Sequence, residues 1–285
     1  MQNKRNIATW LGVVLGTVMA LALNATLAHA SDDGAAAREE FHQTYPLTAN
    51  GRVALDNING AVHISVWDQN QIKVDAVKRA DDEEGLKNME IRVQPGADSI
   101  SISTHYRSND NHWGGHHHYS DVEYTLTVPR NARLDEIKLI NGPLDVTGVL
   151  GEVRASCING KLTAKGLTNE VKLSTINGPL DANFDKLPAS RIELTSVNGP
   201  VQLILPSDAK ASIEAATVHG HIGNEFGLRT SNRFVGHNMH GQLGGGGTHI
   251  QLNNVNGPIE VRHANDGRAM SPAKDADRDR DDDEI

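Results

Sequence analysis

The hydrophobic pattern of the chain repeats about every 20 residues, and each repeat is centred on the dipeptide Asn-Gly or His-Gly. Aligning the chain on these dipeptides places aliphatic residues at fixed distances from each one. From position 141 onward the steps between junctions are 18, 18, 21, 21, 21 and 16 residues. A regular period of this length is typical of a repeat architecture. The junctions are Asn59, Asn141, Asn159, Asn177, Asn198, His219, His240 and Asn256.

Apolar and polar positions alternate on both sides of a junction, as they do in short β-strands. In one repeat, Val171 and Leu173 precede the junction by six and four residues, and Leu180 follows it by three. The residue immediately before the junction is also aliphatic. We expect these residues to fill a continuous interior column, built from Ile140, Ile158, Ile176 and Val197.

The Asn-Gly pair itself predicts a sharp corner. Asn and Gly take positive φ at little steric cost, and the proline two positions after several junctions, such as Pro179, fixes φ where the next strand begins. Equivalent strands of successive coils would lie ~4.8 Å apart. At that spacing the corner asparagines are expected to hydrogen-bond to one another in a ladder.

The pattern therefore predicts an all-β fold, a single-chain β-solenoid (β-helix-like) over residues 41–264 with coils of about 18–21 residues and Asn-Gly corners. Strand candidates between the first two junctions extend it backward, to eleven or twelve coils wound in sequence order. A propeller is disfavoured, because it would need a Trp-Asp pair in each blade and only Trp67-Asp68 occurs. The strand candidates are Ile72–Val77, Met89–Val93, Ser99–Thr104 and Val122–Val128.

Both ends of the chain differ from the repeats. Residues 1–30 have a basic start, an apolar stretch and Ala28-His29-Ala30, which together predict a cleaved signal peptide and a periplasmic or secreted protein. The mature chain is expected to have no transmembrane segment. Residues 31–40 are predicted to be a linker or cap, with a short helix over Ala35–Phe41. Residues 265–285 are predicted to be a disordered acidic tail.

Several of these motifs resemble the bacterial putative-adhesin family of β-strand-repeat domains of unknown function. The resemblance covers residues 41–263 and rests on V-x-L-D-N-x-N-G-x-V from Val53, on Trp67-Asp68, on Y-T-L-T-V-P-R over Tyr124–Arg130 and on the repeated I-N-G-P-L. It implies a β-solenoid in envelope or exported proteins and supplies no catalytic residues. His219 and His240 depart from the pattern by replacing asparagine.

Charge and cysteine content restrict the functional classes. The formal net charge of −9 would repel phosphate backbones, so nucleic acid is a poor candidate partner. Cys157 is the one cysteine, and the sequence around it offers no histidine or acid to activate it. We therefore expect it to be a buried structural thiol.

Histidines supply the candidate metal chemistry. His112, His116, His117 and His118 lie in a glycine-containing segment that would bring imidazoles round a Zn or Cu ion, or would form only a hydrophilic loop. A second candidate site consists of His219, His221 and His240, because the repeat alignment places the first and the last on neighbouring corners. The alternative is that these histidines replace asparagine in the corner ladder.

A polysaccharide-acting enzyme is a further hypothesis, because some polysaccharide lyases are β-helices. The outward carboxylates Asp145 and Asp181 would lie roughly 10 Å apart with Thr163 between them, and few aromatic platforms for sugars occur. We therefore predict no catalytic residues and no cofactor. The predicted function is an exported non-catalytic scaffold or adhesin-like surface for an envelope protein or polysaccharide. A periplasmic metal-binding protein is the first alternative, and a polysaccharide-acting enzyme is the second.

Overall fold

The computed structural model describes residues 37–107, 119–232 and 236–275. Within these residues the chain is all-β, with two large mixed sheets and one short helix, α1 (Glu83–Asn88). Sheet A contains β1 (Ala37–Pro46), β3 (Val62–Trp67), β4 (Gln71–Ala80), β7 (Ser120–Pro129), β9 (Leu144–Thr147), β11 (Leu162–Lys165), β13 (Leu180–Asn183), β15 (Val201–Leu205), β17 (Ile222–Asn224) and β21 (Ile259–His263). Sheet B contains β2 (Arg52–Asn59), β5 (Met89–Pro95), β6 (Ser99–Tyr106), β8 (Arg133–Asn141), β10 (Val153–Asn159), β12 (Val171–Asn177), β14 (Ile192–Asn198), β16 (Ala211–His219), β18 (Thr230–Asn232), β19 (His237–Leu243), β20 (Thr248–Asn256) and β22 (Ala273–Asp275).

The central repeats stack in register, as the period predicted. In sheet B, β8, β10, β12 and β14 are successive parallel neighbours, and Asn159 lies opposite both Asn141 and Asn177. In sheet A, β9, β11, β13 and β15 follow the same order. Each repeat therefore contributes one strand to each sheet, with a corner between them. The four strand candidates before residue 141 are confirmed as parts of β4, β5, β6 and β7.

The spatial order departs from the sequence order at both ends of the stack. The strand β20 lies between β14 and β16, and β2 lies between β8 and β6. Winding in sequence order is therefore wrong at these places. The return to β20 uses Gly244–Gly247, all four with positive φ, and the chain passes so close to β16 that a Cβ on Gly247 would lie 2.4 Å from the Lys210 carbonyl oxygen. Only glycine fits that crossing.

Antiparallel strands replace coils outside the centre, so the prediction of eleven or twelve coils is wrong. β1 pairs with β4 and β4 with β7 in antiparallel fashion, as do β5 with β6 and β16 with β19. The predicted capping helix over Ala35–Phe41 is also wrong where it is described, because residues 37–41 belong to β1. The helix α1 contacts β1, β4 and β5 instead. At the other end, β22 pairs with β19 inside the segment that was predicted to be a disordered tail.

The hydrophobic core lies between the inner faces of the two sheets. Residues six and four before most junctions and three after them are buried, as in Val171, Leu173 and Leu180, each at most 1% exposed. The residue immediately before the junction does not join them. Ile158 is 38% exposed and Ile176 is 43% exposed, so the predicted interior column is wrong. Alternation continues through the strand, and the residue two before the junction, such as Cys157, points inward.

No helix among the described residues has the length and apolar character needed to span a bilayer.

Candidate functional site

The corner asparagines form the predicted side-chain ladder, which we call the corner ladder. Each Asn Nδ2 donates to the Oδ1 of the neighbouring Asn at 2.8–2.9 Å. All of these amides point the same way, toward Asn59, whose own Nδ2 donates to the Ser120 carbonyl at 3.3 Å. The corner ladder therefore fixes the register of successive repeats at the surface. In spatial order it consists of Asn59, Asn141, Asn159, Asn177, Asn198 and Asn256.

The glycine of each corner is required by close approach of the backbone. At Gly178, φ is +144°, and a Cβ would lie 2.1 Å from the Gly160 carbonyl oxygen. The corner asparagines do not share this conformation, because Asn265 is the one residue other than glycine with positive φ among the described residues. The expectation that both residues of the pair take positive φ is therefore wrong. Glycine permits the close stacking, and asparagine supplies the corner ladder.

Inward-facing side chains two residues before the junction contact backbone carbonyl groups at most corners. The hydroxyl of Thr217 donates to the Gly257 carbonyl at 3.0 Å, and Asn254 Nδ2 donates to the Gly199 carbonyl at 2.9 Å. Cys157 occupies the same position in its repeat, with Sγ 3.4 Å from the Gly142 carbonyl oxygen. Burial raises the pKa of the Cys157 thiol to about 11. The thiol is therefore a structural group that remains protonated at neutral pH, as predicted.

Exposed aliphatic side chains follow the outer edge of the same corners, and we call them the aliphatic stripe. Exposure is 40% at Val218 and 42% at Val255, and similar at Ile158 and Ile176, whereas the other members are half-buried. The stripe has one member on each of seven adjacent strands, and with neighbouring strands 4.8 Å apart it is about 29 Å long. A contiguous exposed apolar row is a candidate interaction surface. In spatial order its members are Ile58, Ile140, Ile158, Ile176, Val197, Val255 and Val218.

The remainder of the outer face of sheet B has small polar and charged columns. One column consists of the residues that precede the stripe residues by two positions. It includes Ser156, Ser174 and Thr195, all half-buried. A further column carries charges of both signs, with Lys172 Nζ 3.1 Å from Glu193 Oε1. The column of Ser156 continues to Lys138 and Asp56 on β8 and β2. The face therefore combines an apolar row, a mixed row with small hydroxyl residues at its centre, and a row of charges.

The two acids that an enzyme would use lie where the repeat placed them. Asp145 and Asp181 are both register partners of Thr163, on the two sides of β11. Each already has a basic partner, because Asp145 Oδ2 lies 3.0 Å from His63 Nδ1 and Asp181 Oδ2 lies 2.7 Å from Lys161 Nζ. This part of sheet A is a surface ladder of ion pairs.

The second histidine group is not assembled as expected. His219 lies opposite Asn256 and does occupy a corner, but β19 runs antiparallel to β16 and places His240 opposite Glu214. His221 Nε2 lies 2.9 Å from Glu260 Oε1. The prediction that His219 and His240 share neighbouring corners is therefore wrong. Within residues 37–107, 119–232 and 236–275, no group of three or more His, Cys, Asp or Glu residues is arranged to hold a metal ion.

The candidate metal residues His112, His116, His117 and His118 lie outside the described residues. The described residues that border this segment are anchored. The backbone N–H of Arg107 donates to the Asn88 carbonyl at 2.8 Å, and that of Tyr119 donates to Asp81 Oδ2 at 2.7 Å. Zinc or copper binding by these histidines stays a prediction.

A cavity of about 280 Å³ lies at the β1–β5 end of the stack. Lys78 is 8% exposed, and its Nζ lies 2.8 Å from Glu39 Oε2 and 3.2 Å from the Met89 carbonyl oxygen. Arg107 at the rim lies 3.5 Å from Glu90 Oε2. Because these charges already have partners, the cavity offers less to a ligand than the stripe does. Its apolar lining consists of Phe41, Leu86, Met89 and Ile91.

The motif residues that carry the family resemblance have structural roles. Arg130 Nη2 donates to Asp68 Oδ2 at 3.3 Å, and Trp67 Nε1 donates to the Gln71 carbonyl at 2.7 Å. The buried Asn57 donates to the Val122 carbonyl at 2.9 Å and accepts from the Thr104 hydroxyl at 2.9 Å. These contacts join β3 to β7 and β2 to β6. The motifs therefore maintain the fold.

Comparison with known proteins finds similarity in structure alone. No family model and no curated protein matches the chain. A solved structure of a putative cell adhesion protein from Clostridium sporogenes is similar over 80% of this chain and 100% of that one, at 12% identity and a TM-score of 0.46. A putative adhesin from Bacteroides fragilis is similar over 79% of this chain and 97% of that one, at 10% identity and a TM-score of 0.28. A putative lipid binding protein from Parabacteroides distasonis is similar over 79% of this chain and 96% of that one, at 8% identity and a TM-score of 0.28. No residue role is transferred from these neighbours.

Proposed function

We propose that the chain is an exported, non-catalytic β-solenoid that serves as a scaffold and presents an adhesin-like binding surface in the cell envelope. The surface is the outer face of sheet B, and its centre is the aliphatic stripe. Export is proposed from the sequence of residues 1–30. The non-catalytic role is proposed because the described candidate acids are held in surface ion pairs and Cys157 is a protonated structural thiol.

The observation that carries the proposal is the outward orientation of the stripe. Burial alternates along β10 and β12, and Ile158 and Ile176 lie at outward positions of these strands. Both are aliphatic, yet they are about 40% exposed. Fold stability alone would be served by a polar residue at these positions. Hydrophobic residues at regular spacing on a flat, rigid surface provide the apolar centre that a protein interface needs.

The proposal is tested by substituting the centre of the stripe. We expect Ile158→Lys with Ile176→Lys to weaken binding of the immobilised exported chain to solubilised envelope fractions by at least about tenfold, because charge replaces the apolar centre of the interface. The matched control is Thr163→Lys with Gln202→Lys, which adds the same charge to the outer face of sheet A. Binding is measured by biolayer interferometry over a concentration series.

Two outcomes would contradict the proposal. Unchanged binding by the stripe variant would show that the stripe is not the binding surface. An equal loss in the control variant would show that the effect arises from added charge. Circular dichroism melting curves of both variants establish that each retains its fold.

A further inference from the structure

We infer that the outer face of sheet B docks onto the same face of a second copy of this chain, with the two stacks running in opposite directions. The inference rests on the proposed function, because it names the partner of the same binding surface. The two copies would be related by a two-fold axis that runs parallel to the strands, in the plane between the two faces, and lies over β12. In this arrangement a corner faces a corner, and the order of strands is reversed.

Side-chain size supports this arrangement. Isoleucines occupy the half of the stripe toward β2, and valines occupy the half toward β16. Reversal about Ile176 therefore places Ile158 opposite Val197 and Ile140 opposite Val255. Each larger side chain then meets a smaller one, which favours close interdigitation between two flat faces.

The column of small residues allows the faces to approach. Reversal brings Ser156 opposite Thr195, whereas Ser174 meets its own copy near the axis. These side chains at the centre of the column do not project far enough to hold the aliphatic rows apart. Toward the edge, reversal places Lys138 opposite Asn253 and Asp56 opposite Ala216, so each longer side chain there meets a shorter one. Sheets in contact lie about 10 Å apart, a spacing that small and medium side chains fill.

Charges on the face are compatible with a second copy. The chain has a net charge of −9, which would oppose association in most orientations. The charged columns of the seven stripe strands are balanced, and reversal places Arg154 opposite Glu193 twice. Within its own chain Arg154 also pairs with Glu152 and lies 3.9 Å from Glu170, so the contact with Glu193 would be shared with these two acids. Lys172 meets its own copy, but each Lys172 is already paired with Glu193 of its own chain at 3.1 Å. The Lys, Arg, Asp and Glu residues of these strands are Arg52, Arg133, Lys138, Arg154 and Lys172 against Asp56, Asp135, Glu136, Glu193 and Glu214.

The available area reaches the lower range of specific interfaces. Seven strands span about 29 Å across the sheet, and seven residues along each strand span about 20 Å. The face therefore offers roughly 600 Å² per copy and 1,200 Å² in total, where stable interfaces begin. We expect a dissociation constant on the order of 10 µM, since interfaces of this size are commonly transient.

Sedimentation equilibrium of the full exported chain tests the inference. We expect the apparent mass of the wild type to rise about 1.7-fold between about 1 µM and 500 µM, approaching the mass of a dimer. Ile158→Lys with Ile176→Lys should remain monomeric, whereas Thr163→Lys with Gln202→Lys should dimerise like the wild type. A monomeric wild type at the highest concentration, or a monomeric control variant, would overturn the inference.

A charge exchange tests the opposed orientation. Arg154→Glu and Glu193→Arg, each alone, bring like charges together and should raise the dissociation constant at least about tenfold. The combined variant restores opposite charges across the axis and should return within about threefold of the wild type. Failure of the combined variant to recover would overturn the opposed orientation.

The two proposals fail in distinguishable ways. A monomeric wild type whose envelope binding is still lost in Ile158→Lys with Ile176→Lys would overturn self-docking and retain the binding surface. In the opposite case the wild type dimerises through the stripe but the stripe variant still binds envelope fractions. That result would overturn the proposal that the stripe binds an envelope partner and would retain self-docking.

Discussion

Removal of one amide from the corner ladder should weaken the fold by an amount that depends on its place in the row. Asn177 donates to Asn159 Oδ1 at 2.8 Å and accepts from Asn198 Nδ2 at 2.9 Å. Asn256, at the end of the row, makes only the bond to Asn198 among the described ladder contacts. One net hydrogen bond contributes about 0.5–1.5 kcal/mol. Since these side chains are exposed, their abandoned partners can turn to water, and the lower part of that range applies.

The expected free-energy losses follow from that count. Asn177→Ala should lower the free energy of unfolding by about 1–2 kcal/mol, and Asn256→Ala by about half as much. Asn253→Ala is the control, because this residue lies on the outer face of β20 without a described side-chain hydrogen bond, and it should change stability by less than about 0.5 kcal/mol. Urea unfolding followed by circular dichroism measures all three, with the m-value unchanged. Equal losses at Asn177 and Asn256, or a loss at Asn177 no larger than at Asn253, would refute the ladder as a stabilising element.

Four further predictions concern the backbone, the core, the thiol and the histidines. Gly178→Ala should cost at least about 3 kcal/mol, because its Cβ would lie 2.1 Å from a neighbouring carbonyl oxygen, whereas Gly245→Ala, with open space around it, should cost about 1–2 kcal/mol in backbone strain alone; equal losses in urea unfolding would contradict the close approach. Leu173→Ala should cost about 2–5 kcal/mol by opening a cavity in the core, and a loss below about 1 kcal/mol would show that this position is not packed. Cys157 should react with iodoacetamide in the folded protein far more slowly than in urea until the pH approaches about 11, because burial raises its pKa; rapid labelling at pH 8 would contradict burial. The metal-binding alternative predicts micromolar binding in calorimetric titration with Zn²⁺ that is lost when His116–His118 become alanine, and absence of heat in the wild type would refute that alternative.

Much of the central architecture could be predicted because strand alternation and corner chemistry are local. The two-residue spacing of Val171 and Leu173, and the equivalent spacing around Leu180, predicts that these positions are buried. The regular recurrence of Asn-Gly predicts that each copy occupies the same place in its repeat. The corner ladder followed from the same periodicity. The confirmed positions are those where one local rule decides the structure.

The orientation of the residue before the junction was predicted wrongly for a physical reason. An aliphatic residue such as Ile176 looks like core by composition, but alternation from Leu173 places it outward. Strict use of the two-residue period would have identified the stripe. A row of apolar residues at outward positions is the pattern that indicates a candidate interaction surface. Residue type alone suggested that these residues belong to the core.

The order of strands could not be predicted, because the repeats carry the same local signals wherever they stack. Asn198 accepts Asn256 as a neighbour as readily as it would accept His219, and the difference is set by the long connection through β18 and β19. The run Gly244–Gly247 was the one available sign of a departure from regular winding. The assumption of regular winding also led to the wrong prediction for His240. A His-Gly pair inside an antiparallel strand cannot be told from one at a corner by sequence alone.

The most direct test of the account is hydroxyl-radical footprinting of the stripe at two protein concentrations. At about 1 µM, well below the expected dissociation constant, Ile158 and Ile176 should be oxidised much faster than the buried Leu173. At about 500 µM the oxidation of both isoleucines should fall at least threefold, while exposed residues on the outer face of sheet A stay unchanged. Protection of the isoleucines at the low concentration would contradict their outward orientation, and unchanged oxidation at the high concentration would contradict docking of a second copy.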